Sequence, residues 1–163
     1  IKDLTDALRA NHCQIRFLEK EGFFPFEITG TGLRGGSIEL DAKVSSQFVS
    51  SILMSAPYAQ QPVRLRVRDP VSLPYIEMTI QMMAHFGVHV KRVEPHTFEV
   101  PLGCYTNPKE YVIEGDASSA SYPLAIAAIT GGSVTVTNIG AHSLQGDAQF
   151  CKVLQQMGCE VEQ

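Results

Sequence analysis

No stretch of this 163-residue chain approaches the roughly 18 consecutive apolar residues that a membrane-spanning helix needs, so no helical span and no membrane partner is expected. No basic, apolar, small-residue stretch of the signal-peptide kind opens it either. An excess of positive charge is also missing. The net charge is -4 and the basic residues are scattered, which gives no electrostatic reason to expect nucleic acid. Cys13, Cys104, Cys151 and Cys159 form no Cys-x-x-Cys pair and have no His at metal-ligand spacing. They read as buried free thiols in a reducing compartment, the cytoplasm. Low-complexity sequence is absent, and only 102–109, with Gly103, Asn107 and Pro108, reads as a linker. What remains is ordinary globular composition, long enough for one domain or two small ones.

The chain does contain an internal repeat. From Ile38 it runs Ile-Glu-Leu, Ser45-Ser46, an apolar helical stretch from Phe48 to Pro57, then a strand from Val63 to Val67. A second helix, from about Leu73 to Phe86, stops at Gly87 before Val88-His89-Val90. From Tyr111 the order returns: Val112-Ile113, Ser118-Ser119, Tyr122 to Ile129, Val134-Thr135-Val136, a helix from Gly146 to Met157, Gly158, then Cys159-Glu160-Val161. A partial copy opens the chain, with a helical pattern from Leu4 to Leu8 and His12 in the place of Gly87 and Gly158. Self-similarity at long period marks stacked supersecondary units. Glycine at the helix stop accepts left-handed backbone angles freely, and His12 would pay about 1 kcal/mol for the same angles.

Periodicity predicts helix 3–11, strands near 13–18 and 24–29, a turn at Gly30-x-Gly32 and Gly35-Gly36, and strand 37–41. It then predicts helix 45–57, strand 62–68, helix 73–86, and strands 88–93 and 97–101. Strand 110–114, helix 118–130, strand 133–137, helix 146–157 and strand 159–162 complete the list. The β-β step at 88–101 departs from a simple doubly wound sheet and fits a repeated β-α-β-α-β-β unit. Helices 48–57 and 122–130 are apolar nearly all round, so burial on all sides is expected. The first residue is Ile and helical periodicity begins at once without a capping residue, while the last residues follow an apolar strand. A piece of a longer polypeptide is the expectation.

Each serine pair stands between an extended run and a helical run. Hydroxyls there lie beside unpaired backbone N–H groups and the positive end of a dipole worth about half a charge. Such a place can cap a helix or hold a phosphate.

Several motifs resemble one family. Val44-Ser45-Ser46-Gln47-Phe48 with Leu53-Met54-x-Ala56-Pro57, Val71-Ser72-Leu73-Pro74-Tyr75, Glu114 to Tyr122, and Ser143-Leu144-Gln145-Gly146-Asp147 are similar, in order and spacing, to the 5-enolpyruvylshikimate-3-phosphate (EPSP) synthases. The resemblance covers essentially the whole chain, and its wording is similar to the version inside the fungal pentafunctional shikimate-pathway polypeptide. It implies an α/β fold of two lobes, each an inside-out prism of three β-α-β-α-β-β units around buried helices. This chain would be a partial prism, with 1–113 in the first lobe and 114–163 opening the second. The implied reaction moves the enolpyruvyl group of phosphoenolpyruvate to the 5-hydroxyl of shikimate 3-phosphate, with no metal or organic cofactor.

Carried over residue by residue, the resemblance implies that Ser45, Ser46, Gln47, Ser72 and Tyr75 bind shikimate 3-phosphate. The chemistry suits that role: three hydroxyls at two helix openings for a phosphate, an amide for a polyhydroxylated ring, and a flat aromatic face with a polar tip. The alternative is that the serines only cap helices and Tyr75 packs between lobes, in a non-catalytic anion-binding or structural module. Asp116 falls where the resemblance puts the crossing between lobes. It would orient a catalytic group there or cap the following helix, and capping is favoured. Pro123 falls early enough in that helix to be tolerated, and Gln145-Gly146-Asp147 reads as another helix start.

The remaining candidates have plain readings. His85 and His89 are separated by a helix stop and His142 stands alone, so none suits a metal. Met54, Met78, Met82, Met83 and Met157 read as core filler. Arg64, Arg66 and Arg68 alternate along one strand face, which reads as a solvated face. The Lys, Arg, Asp and Glu residues that handle phosphoenolpyruvate fall, by the resemblance, outside this stretch. No catalytic residue is expected within it, and the isolated segment is expected to be inactive. Phosphoenolpyruvate and the rest of a parent polypeptide are the implied partners.

Overall fold

The alternation Val63-Arg64-Leu65-Arg66-Val67-Arg68 dictates the centre of the fold. Its three aliphatic residues are buried and its three arginines exposed, as a half-buried strand requires. In the computed structural model, which describes residues 1–30 and 32–162, this strand has helices on one face and solvent on the other. Thr31, at the centre of the Gly30-x-Gly32 turn, and Gln163 lie outside the described residues.

The chain opens with helix α1 (Lys2–Ala10) and an antiparallel pair, β1 (Gln14–Phe17) and β2 (Phe26–Thr29). A complete β-α-β-α-β-β unit follows: β3 (Gly36–Asp41), α2 (Gln47–Ser55), β4 (Val63–Arg68), α3 (Leu73–His85), β5 (Lys91–Glu94) and β6 (Thr97–Val100). The sheet order is β3-β4-β6-β5. β3 and β4 are parallel, and β6 is antiparallel to both β4 and β5. Ile38, Leu40, Val63, Leu65, Val67, Phe98 and Val100 of the sheet pack with Ala7 of α1, Val49, Ile52 and Leu53 of α2, and Ile76 and Met83 of α3. Burying one such aliphatic side chain contributes about 1.5–3 kcal/mol, so this layered core is what fixes the helices on the sheet.

On the solvent face the arginines meet carboxylates across the strands. Arg66 faces Glu39 at 3.6 Å and Arg64 reaches Glu94 at 3.1 Å and Glu99 at 3.5 Å. That is a solvated face of paired charges. At the start of β3, Gly35 takes φ 87°, and a Cβ there would lie 2.1 Å from the Gln61 carbonyl oxygen. The buried Asn11 amide binds Gly35 from both sides, its nitrogen donating to the carbonyl (2.8 Å) and its oxygen accepting from the N–H (3.0 Å). This two-pronged bond ties the partial copy to the complete one.

The helix stops show the repeat most directly. His12 (φ 69°), Gly87 (φ 88°) and Gly158 (φ 97°) are all left-handed. At each, the next residue's N–H reaches back five residues: Cys13 to Leu8 (2.9 Å), Val88 to Met83 (2.8 Å) and Cys159 to Leu154 (3.1 Å). The left-handed residues themselves donate to Arg9, Ala84 and Gln155. This double closure is the Schellman motif, here formed three times.

Backbone contacts divide the chain into Ile1–Pro108 and the part from Lys109 onward. The second unit holds α4 (Ala117–Thr130), a 3-10 turn (Gly146–Gln149) and α5 (Phe150–Gln156). The expected strands at 110–114, 133–137 and 159–162 are not formed as ladders. One backbone bond, Gly115 N–H to the Asn138 carbonyl (2.8 Å), joins the first two stretches. It matches the bond from Ala42 to Arg68 (3.0 Å) at the end of the β3–β4 pair.

Four other expectations are corrected. α4 is not buried on all sides, since Tyr122, Ile126 and Ile129 are exposed; α5 and the 3-10 turn pack on it. α2 buries Val49, Ile52 and Leu53 but leaves Met54 half exposed, because a sheet covers one side of it only. Of the methionines only Met83 is core, and Met157 is exposed. None of the cysteines is fully buried: Cys104 is exposed and the others intermediate. Pro123 sits inside α4, and the helix continues through it.

Candidate functional site

Parallel strands release their following helices at the same sheet edge, and ligands of open α/β sheets bind at that edge. β3 and β4 are parallel neighbours in register from Gly36–Val63 to Asp41–Arg68. The openings of α2 and α3 therefore stand side by side. The Val71 N–H to Ala42 carbonyl bond (3.4 Å) links the two connecting loops, as does Lys43, whose ammonium lies 3.2 Å from Asp69 and 3.7 Å from Asp41. Hydrogen bonding to Asp69, with the charge of Asp41 beside it, raises the Lys43 pKa above the ordinary lysine value.

Between the two openings lies a cleft of about 510 Å³. Ser45, Ser46 and Gln47 line it from α2, and Ser72 and Tyr75 from α3. All five residues expected to bind a ligand thus meet at one place. Val44 and Val71 flank the mouth, and Met54, Met78 and Met82 line the wall farther along the helices.

The hydroxyls are not equivalent. Ser45 Oγ accepts from the Gln47 N–H at 3.2 Å, a local cap. Ser46 holds the N-cap position of α2 with helical angles (φ -66°, ψ -19°), and its side chain makes no capping bond. Ser72 holds the N-cap of α3 in the left-handed conformation (φ 54°, ψ 51°), again without a side-chain cap. A non-glycine residue there costs about 1–2 kcal/mol, and strain of this kind concentrates where a side chain must be aimed at a ligand. Among the lining residues only Tyr75 is titratable. The cleft offers donors, amides and helix dipoles without a carboxylate, histidine or lysine on its wall, so it can hold an anion but supplies no acid–base pair.

Asp116 lies in the second unit and behaves as a cap. Its carboxylate accepts from the Ser118 N–H (2.9 Å) and from the Ser119 hydroxyl (2.5 Å). The Ser119 hydroxyl bond, followed by the backbone bonds, lowers its pKa below the ordinary carboxylate value. Ser118 donates its hydroxyl to Asp147. Gln145 N-caps the 3-10 turn and also accepts from Ala117 N–H (2.8 Å) while donating to the Gly115 carbonyl (2.7 Å). Among the described residues, no group of three His, Cys, Asp or Glu side chains is placed to hold a metal ion.

Sequence reasoning missed the methionine wall and the pair Ser50 and Thr79, both of which line the cleft. A signal existed. Tyr75, Met78, Thr79 and Met82 fall at i, i+3, i+4 and i+7, and Ser46, Ser50 and Met54 at i, i+4 and i+8, so each set forms one helix stripe, running back from Tyr75 on α3 and from Ser46 on α2.

A β-α-β-α-β-β unit with its helices on one face, repeated before and after in part, defines a partial enolpyruvyl transferase fold. Solved structures agree. The EPSP synthase from Acinetobacter baumannii matches 96% of this chain with a TM-score of 0.69 at 25% identity, over 34% of that chain. A second structure of EPSP synthase from the same organism gives 0.70 over the same shares. The chain belongs to the EPSP synthase (3-phosphoshikimate 1-carboxyvinyltransferase) family, whose sequence model matches residues 1–163. The pentafunctional AROM polypeptide of Schizosaccharomyces pombe is 60% identical over 169 residues, which span 100% of this chain and 11% of that polypeptide. The chain therefore spans about a third of the solved bacterial enzymes it matches and a small part of the fungal polypeptide.

Proposed function

We propose that this chain is the acceptor-binding part of an enolpyruvyl transferase of the shikimate pathway. In this reading Ser45, Ser46 and Ser72 grip the phosphate of shikimate 3-phosphate, Gln47 bonds the hydroxylated ring, and Tyr75 covers one face of it. The complete parent protein moves the enolpyruvyl group of phosphoenolpyruvate to the 5-hydroxyl, in the cytoplasm and without a cofactor. Residues 1–113 belong to its first lobe and 114–163 begin its second, with Asp116 at the crossing.

One observation carries the reading: the hydroxyls of Ser46 and Ser72, on different helices, line one cleft without serving as caps. Serines that existed to cap would donate or accept locally, as Asp116 does.

Calorimetric titration of shikimate 3-phosphate into the complete parent protein tests this. The Ser45→Ala, Ser46→Ala double variant should weaken binding by about 100-fold or more, because each hydrogen bond to a charged group contributes about 1.5–3 kcal/mol and every 1.4 kcal/mol is about tenfold. Unchanged affinity would reduce the serines to helix punctuation. Turnover by the isolated segment above background would contradict the assignment of the chemistry to other parts of the parent.

A further inference from the structure

The two helix openings that form the cleft are held by more than the core beneath them. Behind each opening stands a hydroxyl: Ser50 one turn after Ser46 on α2, and Thr79 two turns after Ser72, and one after Tyr75, on α3. The two oxygens lie 2.7 Å apart, and Thr79 Oγ1 also lies 2.9 Å from the Tyr75 carbonyl oxygen. A threonine hydroxyl has one proton. A carbonyl can only accept, so the Thr79 proton goes to Tyr75 and Ser50 must donate to Thr79. The result is a directed relay, Ser50 to Thr79 to the Tyr75 backbone, that crosses from α2 to α3.

We propose that Ser50 and Thr79 are positioning residues for the acceptor site. The relay sets the distance between the α2 and α3 openings and fixes the first turn of α3, which carries Ser72 and Tyr75. That turn needs an added constraint. Ser72 is left-handed, and the first-turn N–H groups of a helix have no intrahelical carbonyl to bond, so the bond from Tyr75 N–H to the Ser72 carbonyl (3.1 Å) is the main backbone tie at this opening. A side-chain bond back to the carbonyl four residues earlier also bends a helix slightly, which aims the Tyr75 ring. Neither hydroxyl needs to touch the ligand for this role.

The inference rests on the acceptor-binding reading, and the test separates the two. In the complete parent protein, Thr79→Val keeps the shape and removes the relay, while Thr79→Ser keeps the hydroxyl. Thr79→Val should raise the KM and the Kd for shikimate 3-phosphate about five- to tenfold, with the loss falling on KM rather than kcat. Thr79→Ser should restore binding to within about twofold. Ser50→Ala should match Thr79→Val, and the double variant should be no worse than either single one, since the hydroxyls act as one unit. Ser50→Ala also serves as the test if Thr79→Val fails to fold. If the Ser45, Ser46 double variant loses binding while Thr79→Val and Ser50→Ala keep it, the relay is only helix packing and this inference falls. If all of these variants bind like the unaltered protein, the acceptor-binding reading falls, and the inference with it.

Discussion

The two serine pairs occupy matching places in two copies of one unit, yet Ser45 and Ser46 line a cleft, the Ser46 side chain without a capping bond, whereas the hydroxyls of Ser118 and Ser119 are both taken up by carboxylates. Alignment of Ser45-Ser46 with Ser118-Ser119 puts Lys43 opposite Asp116. The carboxylate of Asp116 draws in the Ser118 N–H and the Ser119 hydroxyl, so α4 starts at Ala117. Lys43 cannot accept a hydrogen bond. Its ammonium turns to Asp41 and Asp69, α2 starts only at Gln47, and Ser46 makes no side-chain cap. A single change of charge sign two residues ahead of the pair separates a capped helix start from one whose Ser46 hydroxyl is left to line a cleft. The strands repeat the contrast. The first copy has a six-residue parallel register between β3 and β4, whereas the second retains one backbone bond, from Gly115 to Asn138, and one from the Asn138 side chain to the Ile113 carbonyl.

The largest expected effect comes from erasing that difference. Lys43→Asp should recruit the Ser45 N–H and the Ser46 hydroxyl as Asp116 does, and set a negative charge beside the phosphate. Shikimate 3-phosphate binding to the complete parent should weaken by about 100-fold or more in calorimetry, since like charges at an interface are strongly unfavourable. Retained affinity would mean that position 43 does not govern the serines.

The matched glycines at the helix stops give the next effect. Gly87→Ala must hold φ near 88° and place a Cβ 2.6 Å from Thr106 Oγ1, whereas Gly158→Ala meets nothing within 4 Å. Local opening free energies from native-state hydrogen exchange should fall by about 2–3 kcal/mol for the first and about 1 kcal/mol for the second. Equal losses would show that the crowding at Gly87 does not matter.

A pH effect is expected in the second copy. Because the folded-state pKa of Asp116 is lowered, its capping contributes stability above the unfolded carboxylate value of about 3.9. That contribution is lost as pH falls through the lower folded value. An NMR titration should show Asp116 protonating below free aspartate, and Ser119→Ala should move it back up, since the Ser119 bond is the largest cause. A midpoint unmoved by Ser119→Ala would leave that bond without the assigned role.

The smallest effect should come from the arginine face. Arg66→Ala removes an exposed pair with Glu39, expected to change stability by less than about 0.5 kcal/mol and ligand affinity not at all. Weakened binding of shikimate 3-phosphate would turn the paired face into an anion-binding one.

Much of this was legible in the residues. The period-2 run from Val63 to Arg68 could only be a half-buried strand. The left-handed stop at His12 followed from its place opposite Gly87 and Gly158, and the five candidate residues line one cleft. Other features were not legible. Met78 and Met82 are as apolar as Met83, and only the rotation of α3 against α2 decides that Met83 enters the core while the other two line the cleft. The stretches 110–114 and 133–137 carry strand-like residues, but a ladder needs a partner along its length, and pairing is a non-local event that no local pattern encodes.

Local chemistry thus settled the element types, the helix stops and the kinds of donor available, because backbone propensity and side-chain hydrogen-bonding capacity act over a few residues. Whether a serine hydroxyl meets its own helix, a neighbouring carboxylate or open cleft was decided only when distant segments packed, because a hydroxyl takes the best acceptor within about 3 Å and the tertiary fold determines which acceptors come that close.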